Sequence, residues 1–557
     1  MSDGGDLDRL RMPLHVFDRI CAGPVDGESM ALLRRGQYSI RLLRLRTLLE
    51  SIQEKDYRAN DAEQAWSVLA EAQRTAPAVV EDLLMHPAVG VWLARTLHDV
   101  CATSPAIAEV DALHAIAAAA AVRCGLSGAI DVPVVDGAVT LPTVGQWRLD
   151  GSPVTHVELR IEAGAVTIGS DASFVPAKRH HTDAPGLSLE VAFDDFDPHR
   201  EFAAPAVPNP LDKATFETWC EQLDEAWNLL TRWHAGYASE LSVGLTTLIP
   251  LRTGTSVFAA SSTNAFGGVA LSPKASATDL AEAVVHEIQH SKLNALMDLL
   301  PLHKESHSWF YAPWRDDPRP LGGVLHGIYA FTSVVEFWHV QRNLVPPAES
   351  RRGHFTFAYR CRLVRQAIDA IGAATELTDL GRRFVEASTN RLAVLEPAEV
   401  PDGIADAIAT LLADHEAMWR IHHVRPNPED VAKVADAWVD GLRCPLSVWG
   451  EVVPGPHTPE SPRTALVSRL ALEPPPDSDG ESAHALFARG DRKAASAAYE
   501  CLVRADPLDR DAWVGLGLAT GARALLEQPQ TVQAVHLRVL SRTGIAPVPS
   551  DLAAWLA

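Results

Sequence analysis

Val285-His286-Glu287-Ile288-Gln289-His290 decides the reading of this chain, because it sets an H-E-x-x-H motif inside a segment of helical periodicity. On a helix, residues four apart lie about 40° apart around the axis, so both imidazoles project from one face, one turn apart. Two neutral ring nitrogens can then reach one divalent metal, with Glu287 beside them to handle a metal-bound water. The chain holds 22 histidines in 557 residues, and a chance match to this pattern has a probability of roughly a few per cent. The apolar neighbours Val284, Val285 and Ile288 also speak against two histidines on a solvated face.

The helix has chemical signals at both ends. Ser276-Ala277-Thr278-Asp279 matches a capping box, with Pro273 just outside it. Leu280, Val284, Ile288, Leu293, Leu296 and Leu300 recur at three- to five-residue spacing until Pro301 stops the run. Upstream, Thr246 to Leu251, Ser256 to Ala260 and Gly268 to Leu271 read as short strands. A small sheet feeding a metal-binding helix is the pattern of a zincin-like half-domain.

Outward from the motif, the pattern predicts an α+β chain, mainly helical, in five regions. Residues 1–127 read as helical; within them Tyr38, Leu42, Leu45, Leu49 and Ile52 mark one amphipathic face. Residues 128–210 are β-rich, and 211–452 form the motif-bearing catalytic domain. Pro, Ser and acidic residues between 453 and 482, including Pro474-Pro475-Pro476, read as an exposed linker. Residues 483–557 are helical, and Ala483 to Thr520 resembles one tetratricopeptide-type helix pair.

Composition narrows the function classes. A hydrophobic share of 47% and a charged share of 22% are ordinary for a globular chain. The formal charge of −22 argues against nucleic acid as a partner, since tracking phosphates needs clustered Lys and Arg. Met1-Ser2-Asp3-Gly4-Gly5-Asp6 lacks the basic start and apolar core of a secretory signal, and no run of about 18 apolar residues appears. A cytoplasmic protein with no membrane partner is therefore expected. The 7 cysteines are scattered without C-x-x-C spacing, which predicts reduced thiols and no cysteine zinc site.

A catalytic metal needs a third protein ligand. Downstream comes the aromatic, Arg and Pro segment Trp309 to Pro320, then an apolar helix from Leu321 to about Val340 carrying His326 and Glu336. Either could complete the site, whereas His303 and His307 sit in a polar loop and read as solvated. With zinc, the motif spells a hydrolase in which Glu287 takes the proton of a metal-bound water. An open His-rich or two-histidine, one-carboxylate site also suits Fe(II). A 2-oxo acid could chelate such an iron, and its far carboxylate would need a fixed cation. Arg315 and Arg319 are the candidates, against the simpler alternative of pairing with Asp316 and Asp317 around a proline turn.

His286 to Leu293, Tyr311 to Pro320 and Leu325 to Phe331 together resemble the HExxH motif-domain proteins of peptide-modification clusters. That resemblance implies an Fe(II)- and 2-oxoglutarate-dependent oxygenase that hydroxylates a side-chain β-carbon of a ribosomally made precursor peptide, sometimes beside a radical peptide maturase. It implies iron at His286 and His290, with His326 carried over as third ligand; Arg315 and Arg319 are the candidate co-substrate contacts by charge and position. Glu287 then acts from beside the metal, because successive side chains diverge by about 100°. The alternative is a cytosolic zinc peptidase or amidase.

Overall fold

The computed structural model describes the chain apart from residues 1–9, 56–58, 103–106, 150–153, 169–171, 203–204, 253–258, 396–400, 402, 443–447, 456–459 and 473–480. It is mainly helical with small sheets, an α+β chain, and it divides into two compact units, Met1–Leu300 and Pro301–Ala557. That division falls inside the 211–452 stretch that the sequence reads as one domain.

The first unit opens with α1 (Leu14–Cys21), α2 (Gly27–Glu54), α3 (Ala59–Thr75), α4 (Pro77–Leu84), α5 (Pro87–Cys101) and α6 (Ile107–Arg123). Two small antiparallel sheets follow. One orders β1 (Gly128–Pro133), β4 (His156–Glu162) and β5 (Ala165–Thr167); the other orders β2 (Ala138–Leu141), β3 (Gly145–Leu149) and β6 (Ala172–Pro176). Ala117 to Ala120 of α6 are fully buried and belong to one core with Ile130 and Val132 of β1 and Leu159 and Ile161 of β4. Alanines there let helix and sheet approach closely, since no long side chain holds them apart.

The unit's second half builds the floor of the motif helix. β7 (Lys178–Ala184), β8 (Leu187–Phe193), α7 (Lys213–Trp233), α8 (Ala235–Gly244), β9 (Thr247–Pro250), β10 (Ala259–Ala260) and β11 (Gly268–Leu271) precede α9 (Ala277–Leu299). Five strands form one mixed sheet in the order β10-β11-β9-β8-β7, parallel across β8, β9 and β11 and antiparallel at both edges. Every residue of β9 and β11 is buried, as expected of parallel strands covered on both faces. The strands expected before the motif are therefore present where described; residues 256–258 lie outside the described residues.

One helix face differs from the expectation. In α2 the inward residues are Gln37, Arg41, Leu45, Leu48 and Ile52, while Leu42 is 41% exposed. The face is turned because Arg41 is buried and donates to the carbonyl oxygens of Leu84, His86 (2.9 Å) and Asn264 (3.3 Å). Burial lowers its pKa to about 9. A hydrophobic-periodicity reading assigns an arginine to solvent, and so rotates the helix.

The second unit starts with the short pair β12 (Trp309–Phe310) and β13 (Arg319–Pro320). It continues through α10 (Leu321–Gln341), α11 (Pro347–Ile371), α12 (Asp379–Leu395), α13 (Ile404–His423), β14 (Val424–Pro426), α14 (Pro428–Val439) and β15 (Gly450–Val452). Where an exposed linker is expected, α15 (Pro462–Leu472) forms instead; Pro474-Pro475-Pro476 lies outside the described residues. Arg463 of α15 is fully buried, its Nη2 2.6 Å from Asp414 of α13. The short run Arg463-Thr464-Ala465-Leu466-Val467 carries the packing that the surrounding prolines mask in composition.

The last helices are α16 (Ala483–Ala488), α17 (Arg492–Ala505), α18 (Arg510–Thr520), α19 (Arg523–Glu527), α20 (Pro529–Thr543) and α21 (Pro549–Leu556). Trp513, Tyr499, Val532 and Leu552 from them share one core with Leu411 and Ile421 of α13 and Val434 of α14. The carboxyl-terminal helices are thus packed into the second unit rather than tethered beyond a free linker.

Candidate metal centre

Local chemistry fixes the start of α9. Ser276 Oγ accepts the Asp279 N–H at 3.1 Å and donates to the Asp279 carboxylate at 2.9 Å. This satisfies one of the orphan amide donors that every helix start leaves open. From there α9 runs over β10 and β11 and against α7 and α2. Ser291 Oγ accepts the Gly267 N–H at 3.1 Å, tying the helix to the turn before β11. Gly267 has φ +82°, and a Cβ there would lie 2.7 Å from Thr246 Oγ1. Only glycine suits that turn without strain.

The half-buried rings of His286 and His290 stand nearly perpendicular, at 86°, with their Nε2 atoms 3.1 Å apart. Ligand atoms of His286, Glu287 and His290 all lie within 4.8 Å of one another, the one such group among the described residues. Two nitrogens bound to one ion at about 2.1 Å sit roughly 3.0–3.4 Å apart for right-angle to tetrahedral geometry. The separation and the donor set both fit a divalent metal.

Glu287 is 5% exposed. Burial raises its carboxyl pKa to about 7, against the opposing pull of a Ser261 hydrogen bond and the positive charge of Lys274. Lys274 is itself lowered by burial and held up by Glu287, Glu282 and Asp279. A carboxyl poised near neutrality beside two converging imidazoles can take up or give back a proton. Ser261 and Lys274 were not legible beforehand, since nothing in the short connections either side of β11 marks a residue as facing a carboxylate.

Beneath this face lies a second polar layer that the sequence reading missed. Glu240 of α8 and Lys292 of α9 are both fully buried and 2.6 Å apart. Lys292 also donates to the Gly23 carbonyl at 2.9 Å. The Glu240 carboxylate further accepts the Val25 N–H at 2.9 Å and the Gln289 side-chain amide. Lys292 lies roughly 140° around the helix from the midline of the two histidines. One face of α9 offers ligands, and the far side is bolted to α8 and to the segment before α2.

The other expected site residues belong to the second unit. His326 of α10 is half-buried, and its pKa falls to about 4, chiefly through burial and then through the charge of His303. Glu336 is engaged by Arg391, whose Nε and Nη2 reach its two carboxylate oxygens at 2.9 Å each. Arg315 and Arg319 converge on one carboxylate, that of Asp317, at 2.8 and 3.4 Å. Of the aromatic residues, Tyr311 is buried and bonds His415 Nδ1 at 2.8 Å. Trp314 lies against α10, where a Cβ on Gly327 would come within 2.0 Å of its ring. That contact explains a glycine beside His326.

Comparison with protein-family models and with curated proteins finds no match.

Proposed function

We propose that the chain is a metal-dependent enzyme, an Fe(II)- and 2-oxoglutarate-dependent oxygenase that hydroxylates a β-carbon of a peptide side chain. The observation that carries the metal is the convergence of His286 and His290 Nε2 at 3.1 Å beside buried Glu287. The choice of iron and of a peptide substrate rests on the resemblance of the three motif segments to the HExxH motif-domain proteins. Bound iron would supply oxidation of a C–H bond coupled to decarboxylation of the keto acid. His286 and His290 bind it through neutral rings, and Glu287 holds or moves a proton beside them. The carry-over of His326 as third ligand comes from sequence alone; between it and Glu336, the latter already has Arg391 on both oxygens. Co-substrate binding by Arg315 or Arg319 would require one of them to leave Asp317. The zincin-like reading of α9 and its sheet, and the tetratricopeptide-like reading of α16 to α18, belong to the same proposal.

A second reading, a zinc hydrolase, is favoured by one observation. A glutamate with pKa about 7 next to the ligands suits general-base work on a metal-bound water.

The test loads the purified chain with Fe(II) or with Zn(II) and follows two products. Succinate formed from 2-oxoglutarate together with a one-oxygen mass gain on a peptide supports the oxygenase. Peptide-bond cleavage with zinc and no succinate moves the assignment to the hydrolase. His286→Ala or His290→Ala should abolish stoichiometric metal uptake with the fold retained, and full occupancy in either variant would refute the centre.

A further inference from the structure

The second unit holds a cavity of about 380 Å³ that the metal reading does not use. That volume is within the range of small-molecule sites, roughly 300–1,000 Å³. Its walls include Trp314, Phe331, Tyr359 and Trp419, and Arg360 is the one lysine or arginine among the described residues that line it. The Arg360 guanidinium lies 4.7 Å from the centre of the Phe331 ring and 6.0 Å from that of Tyr359. Trp314 and Phe331 are themselves in contact, with ring centres 5.1 Å apart.

What singles out Arg360 is what it lacks. Among the described residues it donates no hydrogen bond and forms no ion pair; its contacts are the two aromatic faces. The neighbouring acids are otherwise engaged or peripheral. Asp414 is held by Arg463 at 2.6 Å, Asp316 lies 3.6 Å from His415, and Glu460 is exposed. A guanidinium stacked on a ring keeps its in-plane donors free, and that fork matches a carboxylate with two parallel hydrogen bonds.

We propose that this cavity is a binding site for a carboxylate carried on an aromatic body, with Arg360 as its anchor and the aromatic walls as its bed. The carboxylate can belong to a free small acid or to the last residue of a peptide. Its lining shares no residue with the HExxH cluster, so binding should persist with a chelator present.

Calorimetric titration of the full chain with 3-phenylpropionate and with its uncharged amide tests the anchor. Gly-Gly-Phe with a free or an amidated carboxyl terminus separates the two sources. The acid should bind and the amide should bind at least ten-fold more weakly, as about one charge-assisted hydrogen-bond pair requires. Arg360→Met should weaken the acid by roughly ten- to hundred-fold, and Arg360→Lys by less, with an unchanged melting curve as the folding control. Binding of phenylpropionate identifies a free acid, and binding of the free-ended peptide alone identifies a chain terminus. Equal binding of acid and amide, unchanged affinity in Arg360→Met, or no binding of either acid by about 10 mM overturns the proposal.

Discussion

Two sets of charges in this molecule look alike in sequence and behave oppositely in the fold. Lys292 and Glu240 are fully buried, while Arg315, Arg319 and Asp317 keep 40%, 39% and 20% of their side-chain surface. The first set sits behind the histidine-bearing face of α9, out of reach of solvent; the second is half-buried and was the sequence's choice for a ligand contact. Desolvation makes the difference energetic. An exposed pair contributes about 0–1 kcal/mol, but breaking a buried pair leaves one charge uncompensated in the interior, at about 3–5 kcal/mol. Charges that hold a site in place and charges that could meet a substrate must therefore be told apart by burial, which composition does not report.

The sharpest test of that contrast is Lys292→Ala, with Glu240→Ala as its mirror. Each should lose about 3–5 kcal/mol in urea unfolding. Lys292→Met paired with Glu240→Leu should lose less than the two singles summed, since no charge is left uncompensated, though the Val25 N–H, the Gln289 amide and the Gly23 carbonyl lose their partners. A single variant within 1 kcal/mol of the parent would erase the distinction between the two sets.

Arg463 and Asp414 extend the comparison to the second unit, since they too are buried, at 0% and 2% exposure. Arg463→Ala should cost a similar amount. Removal of everything after Pro476 should go further and give insoluble protein, because it strips Trp513 and Tyr499 from the core they share with α13 and α14. A soluble, cooperatively melting fragment would show that those helices are an appendage after all.

A smaller effect should come from His86, a buried neutral ring with pKa about 4, held down mainly by burial. In the unfolded chain its pKa returns to about 6.5, so the unfolded state takes the proton first as pH falls. Its contribution is whole above about 6.5 and is lost as pH drops toward about 4. His86→Gln should flatten the acid limb of the stability curve by up to a few kcal/mol. An acid limb identical to the parent's would remove His86 from the set of buried ionisable groups that matter.

The smallest effect belongs to the half-buried set. Asp317→Asn should change stability by less than about 1 kcal/mol. If Arg315 or Arg319 binds 2-oxoglutarate, freeing both from Asp317 should lower the apparent co-substrate requirement. An unchanged requirement would count against that role.

Much of the first unit's architecture was readable beforehand where one local rule decides it. Ser276 caps α9, Pro301 follows its end, and β9 and β11 fall within a residue of the apolar runs that mark them. The histidine pair is legible for the same reason, since a four-residue spacing on a helix fixes its own geometry. What escaped depends on distant partners. Nothing in the local pattern marks Gln289 and Lys292 as buried until Glu240 and Gly23 are placed beside them. Arg41 misdirects α2 because its acceptors are backbone carbonyls, which no side-chain pattern displays. Helix α15 hid among prolines because its reason for folding, Asp414, lies 49 residues away. The simpler alternative for Arg315 and Arg319, pairing with a neighbouring aspartate, is what the fold shows, with both on Asp317.

The bolt behind the motif helix also has a place in time. Lys292 meets Gly23 across 269 residues and Glu240 across 52. Contacts between such distant segments wait for the intervening chain to be ordered, because closing the longer loops costs entropy before the contact repays it. A lysine cannot shed its water until its carboxylate and carbonyl are in position. The motif helix should therefore form early as a helix and be seated late, so that a nascent chain can carry both histidines well before it can present them as a centre.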